Sequence, residues 1–246
     1  MKAKKMSLFL VMILALSTFL AACSGDDSSS GKGDGGSAKD VEQVLNVVES
    51  SEIPSMDTAL ATDSVSFNVM NNVMEGLYRL GENDEVVDGV AEGDPEVSED
   101  GLTYTFKLRE DAKWSNGDPV TANDFVYAWQ KVVNPDTAAQ YAYMLYVIEN
   151  GEEINSGKKE ASELGVKAVD DYTLEVKLAN AVPYFKSLLS FGTFMPQNQK
   201  YVEEQGDKYG LEADTTIYNG PFTLSEWKHE ESFKLSKNDQ YWDKDT

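Results

Sequence analysis

The chain has 246 residues, of which 41% are hydrophobic and 11% aromatic, a composition typical of a globular protein. Its 43 Asp and Glu against 21 Lys and Arg give a net charge of −22, which argues against binding of nucleic acid because such a surface repels phosphates. One cysteine excludes a disulfide within the chain, and one histidine excludes a two-histidine metal site. Neither a cofactor nor a metal is predicted.

The N-terminus has the pattern of an export signal. Three lysines precede an apolar run over residues 8–16, which is far shorter than the ~20 residues of a membrane-spanning helix. Small residues then lead to Cys23, and this order resembles the lipobox of bacterial lipoproteins. We therefore predict a signal peptide over residues 1–22 and lipidation of Cys23. An ordinary signal peptide followed by a chance cysteine is the alternative.

The segment after the signal peptide is rich in Gly and Ser. Residues 23–40 contain no large apolar side chain after Cys23, so they cannot bury enough surface to become ordered. We predict a flexible tether that holds a folded domain away from the membrane. The folded part is predicted to begin with a buried strand, Val44–Val48.

Helices and strands alternate irregularly through the rest of the chain. A helix capped by Ser64 is predicted to reach about Tyr78, because apolar residues recur there every four positions. Period-two alternation, turn signals and apolar faces predict the remaining elements: strands over 103–108, 166–169, 173–178, 222–226 and 233–237, and helices over 121–133, 141–155, 184–189 and 197–204. This order indicates an α+β, or mixed α/β, fold rather than a parallel doubly wound sheet.

Motifs for catalysis are absent from the sequence. It contains no Gly-rich phosphate loop, no nucleophile elbow and no zinc-protease motif. A triad hydrolase would depend on His229, which is expected in a polar turn between two strands. A secreted hydrolase is the rival class of function, but a protein that is not an enzyme is predicted.

Several motifs together carry a family resemblance. Residues 100–109 read DGLTYTFKLR and residues 114–125 read WSNGDPVTANDF. Both are very similar to the core signature of solute-binding protein family 5, the peptide receptors of ABC importers. The same order of motifs continues with EGLY at 75–78, VPYF at 182–185, NGPF at 219–222, Asn238 and the pair Tyr241-Trp242.

The resemblance implies a clamp similar to periplasmic-binding proteins of type II, in which two lobes close over the ligand. By this resemblance, residues 41–74 and 201–246 are parts of domain I in lobe one, and residues 75–200 are the small domain II. Members of the family are roughly twice as long, so the third domain is expected to be missing. The chain is then expected to be a fragment that binds peptide weakly by itself.

The resemblance also implies a function and a site. An extended segment before the first helix is expected to line the cleft with Thr62, Asp63 and Ser64, and Tyr141 is expected to pack on the ligand. The implied role is a monomeric receptor, lipid-anchored on the outer face of the bacterial cytoplasmic membrane, that captures oligopeptides and delivers them to the permease of an ABC importer. Dipeptides, signalling peptides, nickel chelates, haem and oligosaccharides are the alternative ligands.

Overall fold

The structure, a computed structural model, describes residues 44–245. The predicted signal peptide, the lipidation of Cys23 and the tether lie outside these residues. The chain divides into two units, Met1–Val47 and Val48–Thr246. The domain boundaries expected near residues 75 and 201 both fall inside the second unit, and they stay a prediction.

The predicted strand Val44–Val48 is wrong. The segment is irregular, and Leu45 and Val48 expose 86% and 97% of their surface. A strand needs a neighbour to pair its backbone N–H and C=O groups. None of the sheets in the described part includes this segment. An apolar run alone therefore did not make it a buried strand.

The first helix, α1, is shorter than predicted. It spans Ser64–Val73, because Met74 already has extended backbone angles (φ −123°, ψ 154°) and cannot continue the helix. Leu77 is fully buried although it lies beyond the helix. One apolar face of α1 packs into the core through Val65, Val69, Met70 and Val73.

The described strands form three sheets, each of them antiparallel. The central sheet has the order β3-β4-β6-β5, and two hairpins, β1-β2 and β7-β8, form the other two. The strands are β1 Tyr78–Leu80, β2 Val86–Asp88, β3 Glu96–Val97, β4 Thr103–Lys107, β5 Val166–Asp170, β6 Thr173–Lys177, β7 Phe222–Lys228 and β8 Ser232–Lys237. The five strands predicted between residues 103 and 237 are confirmed, and so is the α+β, or mixed α/β, fold class.

The remaining helices are α2 Ala122–Val133, α3 Gly151–Asn155, α4 Phe185–Leu188 and α5 Gln199–Gln205. The helix predicted over residues 141–155 is interrupted: a 3₁₀ helix, Ala142–Val147, is followed by α3. The break lies at Ile148, which is extended, and at Asn150, whose φ of 68° is left-handed. Asn tolerates this conformation better than most residues do.

Two tryptophans anchor the core around α2. Trp114 and Trp129 are fully buried, and each indole N–H has a partner: the Asp124 carboxylate at 3.2 Å and the Phe194 carbonyl at 2.9 Å. Burial of such rings stabilises the fold by about 2–3 kcal/mol each. Asp124 also accepts the backbone N–H of Thr121 at 2.8 Å, as the sequence pattern at the start of α2 predicts.

Candidate functional site

The segment that precedes α1 is extended and only partly buried. Asp63 has φ −112° and ψ 157°, and its carboxylate accepts the backbone N–H and the hydroxyl of Ser66, both at 2.8 Å. Asp63 rather than Ser64 is therefore the cap of α1, which corrects the sequence prediction. Within residues 44–245, the backbone N–H groups of Thr62 and Asp63 donate no hydrogen bond.

Tyr141 lies beside this segment. Its hydroxyl donates to the Thr62 carbonyl at 3.3 Å, across 79 positions of sequence. Of the four residues predicted to bind ligand, the structure thus brings Thr62 and Tyr141 into contact. Asp63 is next to them but is used as the helix cap, and Ser64 is exposed at the first turn of α1.

Tyr141 is part of a group of four rings, here called the aromatic cluster: Phe67, Tyr141, Tyr143 and Phe191. The ring centroids of Phe67 and Phe191 are 4.9 Å apart, and those of Tyr141 and Phe191 are 5.4 Å apart. Tyr141 also contacts Phe67 at 6.1 Å and Tyr143 at 6.0 Å. None of the four is fully buried, and Tyr143 exposes 58% of its surface.

Sequence reasoning missed Phe67 and Phe191. Phe67 lies off the apolar stripe of α1, and Phe191 stands in a short loop with no periodic pattern. The one local signal is Gly192: a Cβ atom there would lie 2.6 Å from two carbons of the Phe67 ring. A glycine at this point lets the ring approach the backbone closely.

A buried polar network, here called the Asp57 network, holds the segment that leads to Thr62. Asp57 accepts Lys131 Nζ at 2.8 Å and Gln197 Nε2 at 2.7 Å, and Gln197 also donates to the Thr58 hydroxyl at 2.7 Å. Asp57, Thr58 and Gln197 are buried. Because Lys131 belongs to α2, the network links this segment to α2 and holds the backbone before α1 in place.

Several of the family motifs meet at a second buried site, here called the Glu75 junction. The Glu75 carboxylate accepts the Tyr241 hydroxyl at 2.7 Å and the Trp242 indole N–H at 2.6 Å. Its backbone N–H and C=O pair with the Asn219 side chain at 2.9 and 2.8 Å. Burial raises the pKa of Glu75, against the hydrogen bonds from Trp242 and Tyr241. These motif residues bind one another inside the protein, so at this junction they stabilise the fold.

Asp124, at the start of α2, also has a raised pKa that its place in the fold explains. Burial raises the pKa of Asp124 to about 6, although hydrogen bonds from Thr121 and Trp114 favour its charged form. Those same bonds occupy its oxygen atom Oδ2. Within the described range, no three His, Cys, Asp or Glu side chains are grouped so that they could hold a metal ion, and no helix is long and apolar enough to span a bilayer.

His229 lies in the turn between β7 and β8, as predicted, but it is bound on both sides. Its Nδ1 is 2.9 Å from Glu52 Oε1 and its Nε2 is 3.2 Å from Glu212 Oε2. The hydrogen bond with Glu52, followed by that with Glu212, raises the pKa of the imidazole. Among the described residues both contacts of the imidazole are with carboxylates, so this arrangement is an ion-pair bridge; a hydrolytic triad would place a nucleophile on one side of the ring.

An open depression of about 810 Å³ lies elsewhere on the molecule. Its walls are mostly acidic and none of its residues belongs to the aromatic cluster; the carboxylates are Glu92, Glu110, Asp111, Asp170 and Asp171. The depression is wide and exposed, and of the residues that line it only Leu108 and Tyr172 are apolar or aromatic. Ligand pockets are usually lined mainly by such residues. The Thr62 segment with the aromatic cluster is therefore the stronger candidate site.

Comparison with known proteins agrees with the motif resemblance. Residues 85–246 match the model of bacterial extracellular solute-binding proteins, family 5 Middle. The chain is 44% identical over 236 residues to the dipeptide-binding protein DppE of Bacillus subtilis. The matched residues make up 96% of this chain and 43% of that protein. Its identity to the oligopeptide-binding protein OppA of the same organism is 43% over 243 residues, or 98% of this chain and 44% of that protein.

Solved structures give the same result. Listeria monocytogenes OppA bound to peptide superposes with a TM-score of 0.81 at 52% identity, over 83% of this chain and 40% of that chain. The substrate-binding domain of an oligopeptide ABC transporter from Bacillus anthracis gives a TM-score of 0.80 at 57% identity, over 82% and 39% of the two chains. The chain thus spans less than half the length of these relatives. It belongs to the bacterial extracellular solute-binding proteins of family 5.

Proposed function

We propose that this chain is part of a receptor that captures peptides outside the cytoplasm and delivers them to the permease of an ABC importer. The observation that carries the proposal is the contact between Tyr141 and Thr62. An aromatic ring there lies beside extended backbone whose N–H groups at Thr62 and Asp63 donate to no residue within 44–245. Backbone groups that pair with a peptide as an added strand recognise what all peptides share. Oligopeptides are the proposed ligand class.

Membership of a family of binding proteins supports a role without catalysis. His229 is occupied by two carboxylates, and the buried Asp124 and Glu75 are occupied by donors of the fold. The peptide is therefore proposed to leave the receptor unchanged. Domain I (residues 41–74 and 201–246), domain II (residues 75–200), attachment through lipidated Cys23 and a monomeric state are parts of the same proposal.

Mass spectrometry of small molecules that co-purify with the protein is the primary test. Peptides of several residues are expected in the bound fraction, and isothermal calorimetry with those peptides should then give saturable binding. A peptide incubated with the protein should be recovered intact. Co-purification of haem, a nickel chelate or a sugar instead of peptides would refute the ligand class, and cleaved peptide would refute the role without catalysis.

The lipid anchor has a separate test. Cys23→Ala is expected to release the protein from membranes, because no helix within residues 44–245 is able to span a bilayer. Cell fractionation at high salt compares the variant with a Cys-retaining control, Ser24→Ala. A Cys23→Ala protein that still sediments with membranes would refute lipid anchoring at this residue.

A further inference from the structure

The aromatic cluster leaves four large rings partly exposed. Phe67, Tyr141, Tyr143 and Phe191 come from three separate parts of the chain, yet they meet beside the Thr62 carbonyl. Trp114 and Trp129, by contrast, are fully buried in the core. An apolar ring surface kept beside an extended backbone segment points to a partner that covers it.

The fold builds this surface rather than merely leaving it uncovered. Gly192 leaves room for the Phe67 ring, which any side chain at that position would displace. Phe191 then packs on Phe67 with an interplanar angle of 48°, and Tyr141 stands edge-on to Phe191 at 90°. The rings are tilted rather than coplanar, so ring faces and ring edges meet within the cluster. These are the two surfaces with which aromatic rings pair.

The polarity of the surroundings narrows the class of partner. The four rings carry no charge, and the carboxylate of the neighbouring Asp63 accepts the backbone N–H and the hydroxyl of Ser66. The Tyr141 hydroxyl donates to the Thr62 carbonyl. We propose that the aromatic cluster determines the specificity of the peptide site: it receives an uncharged aromatic side chain of the peptide whose backbone pairs beside Thr62. This inference rests on the proposed function and adds a preference within it.

The test uses a pentapeptide of alanines in which one residue is replaced, at each of the five positions in turn, by Phe, Leu, Lys or Asp. Isothermal calorimetry with the purified protein measures each dissociation constant. At one position, Phe is expected to bind about tenfold more tightly than Ala and Asp to bind more weakly than Ala, since aromatic pairing and desolvation favour the ring. If Lys binds as tightly as Phe, cation–π contact rather than uncharged pairing governs the site and the proposal is wrong.

Two variants connect this preference to the aromatic cluster. Phe67→Leu removes one ring, and Gly192→Ala pushes the same ring aside without removing it. Both should reduce the tenfold preference to about twofold. The control is Tyr184→Leu, an aromatic residue exposed by 60% outside the aromatic cluster, which should retain the preference.

The outcomes separate this inference from the proposed function. If the wild-type protein binds the alanine peptides but prefers no aromatic residue at any position, the specificity proposal fails and peptide binding stands. If none of the peptides binds, both fail. The wild-type series decides the matter even if a variant does not fold. A preference that survives in folded Phe67→Leu and Gly192→Ala proteins also overturns the assignment to this cluster.

Discussion

The Glu75 junction and the aromatic cluster both contain aromatic side chains, but they differ in whether the polar groups at each place have partners. At the junction, a buried carboxylate and a buried amide side chain have partners on every side. At the aromatic cluster, the rings are partly exposed and the neighbouring N–H groups of Thr62 and Asp63 have no partner among the described residues. The region whose groups are satisfied fixes the fold, and the region whose groups lack partners among the described residues is the one that we propose for the ligand.

The largest effect is expected at the junction itself. Glu75→Ala leaves the buried Tyr241 hydroxyl and the Trp242 N–H without an acceptor. The free energy of unfolding should fall by about 3 kcal/mol, since unpaired buried donors carry their full desolvation cost. Urea denaturation followed by fluorescence measures it. Glu75→Gln keeps an acceptor and should lose less; equal stability of Glu75→Ala and wild type would refute the structural role.

The Asp57 network should give the next largest effect. Lys131→Met removes the ammonium group that binds Asp57 and Gln197, and the buried Asp57 carboxylate then lacks its counter-charge. Unfolding should become easier by about 2 kcal/mol, because a buried charge without a counter-ion is costly. A double-mutant cycle with Asp57→Asn is the measurement. Additive effects of the two changes would contradict a direct interaction.

Changes in the aromatic cluster should act on binding instead of stability. Tyr141→Leu is expected to weaken peptide affinity about tenfold, which corresponds to about 1.4 kcal/mol, because ring contact with the ligand is lost. Its unfolding free energy should change by less than about 1 kcal/mol, since the ring is only partly buried. Tyr141→Phe is the matched control that keeps the ring and removes the bond to Thr62. Equal affinity of Tyr141→Leu and wild type would refute a ligand contact.

The smallest effect is a pH dependence at His229, which lies in neither of the compared regions. Its pKa is raised above 6.5 by the hydrogen bonds with Glu52 and Glu212, so the folded state favours the protonated imidazole. The stabilisation is therefore complete below about pH 6.5 and is lost as pH rises through the raised pKa. The melting temperature should fall slightly over that interval.

NMR titration of this single histidine gives a direct measurement. Glu52→Gln and Glu212→Gln should each bring the pKa of His229 back towards its ordinary value, and Glu52→Gln should do so more strongly because that bond is the larger cause. Glu231→Gln, in the same turn, serves as the control. An unchanged pKa in both test variants would show that the bridge does not persist in solution.

Local patterns in the sequence determined much of the secondary structure. Alternation of Thr103 to Lys107 fixed β4, and the Thr121–Asp124 pair fixed the start of α2. Both are interactions between residues close in the chain, so their geometry follows from the local backbone. Another local pattern, the apolar run at Val44–Val48, did not form a strand, because a strand depends on a pairing partner that the run does not specify.

The candidate site was only partly accessible from the sequence. The family resemblance named Thr62 and Tyr141, which do meet, but no local signal joined Phe67 to Phe191, which lie 124 positions apart in the sequence. Likewise, the sequence offered Glu75 and Trp242 as separate motifs, and only the fold places them 2.6 Å apart. Contacts between distant segments depend on the packing of the whole core, and that packing is a property of the tertiary structure.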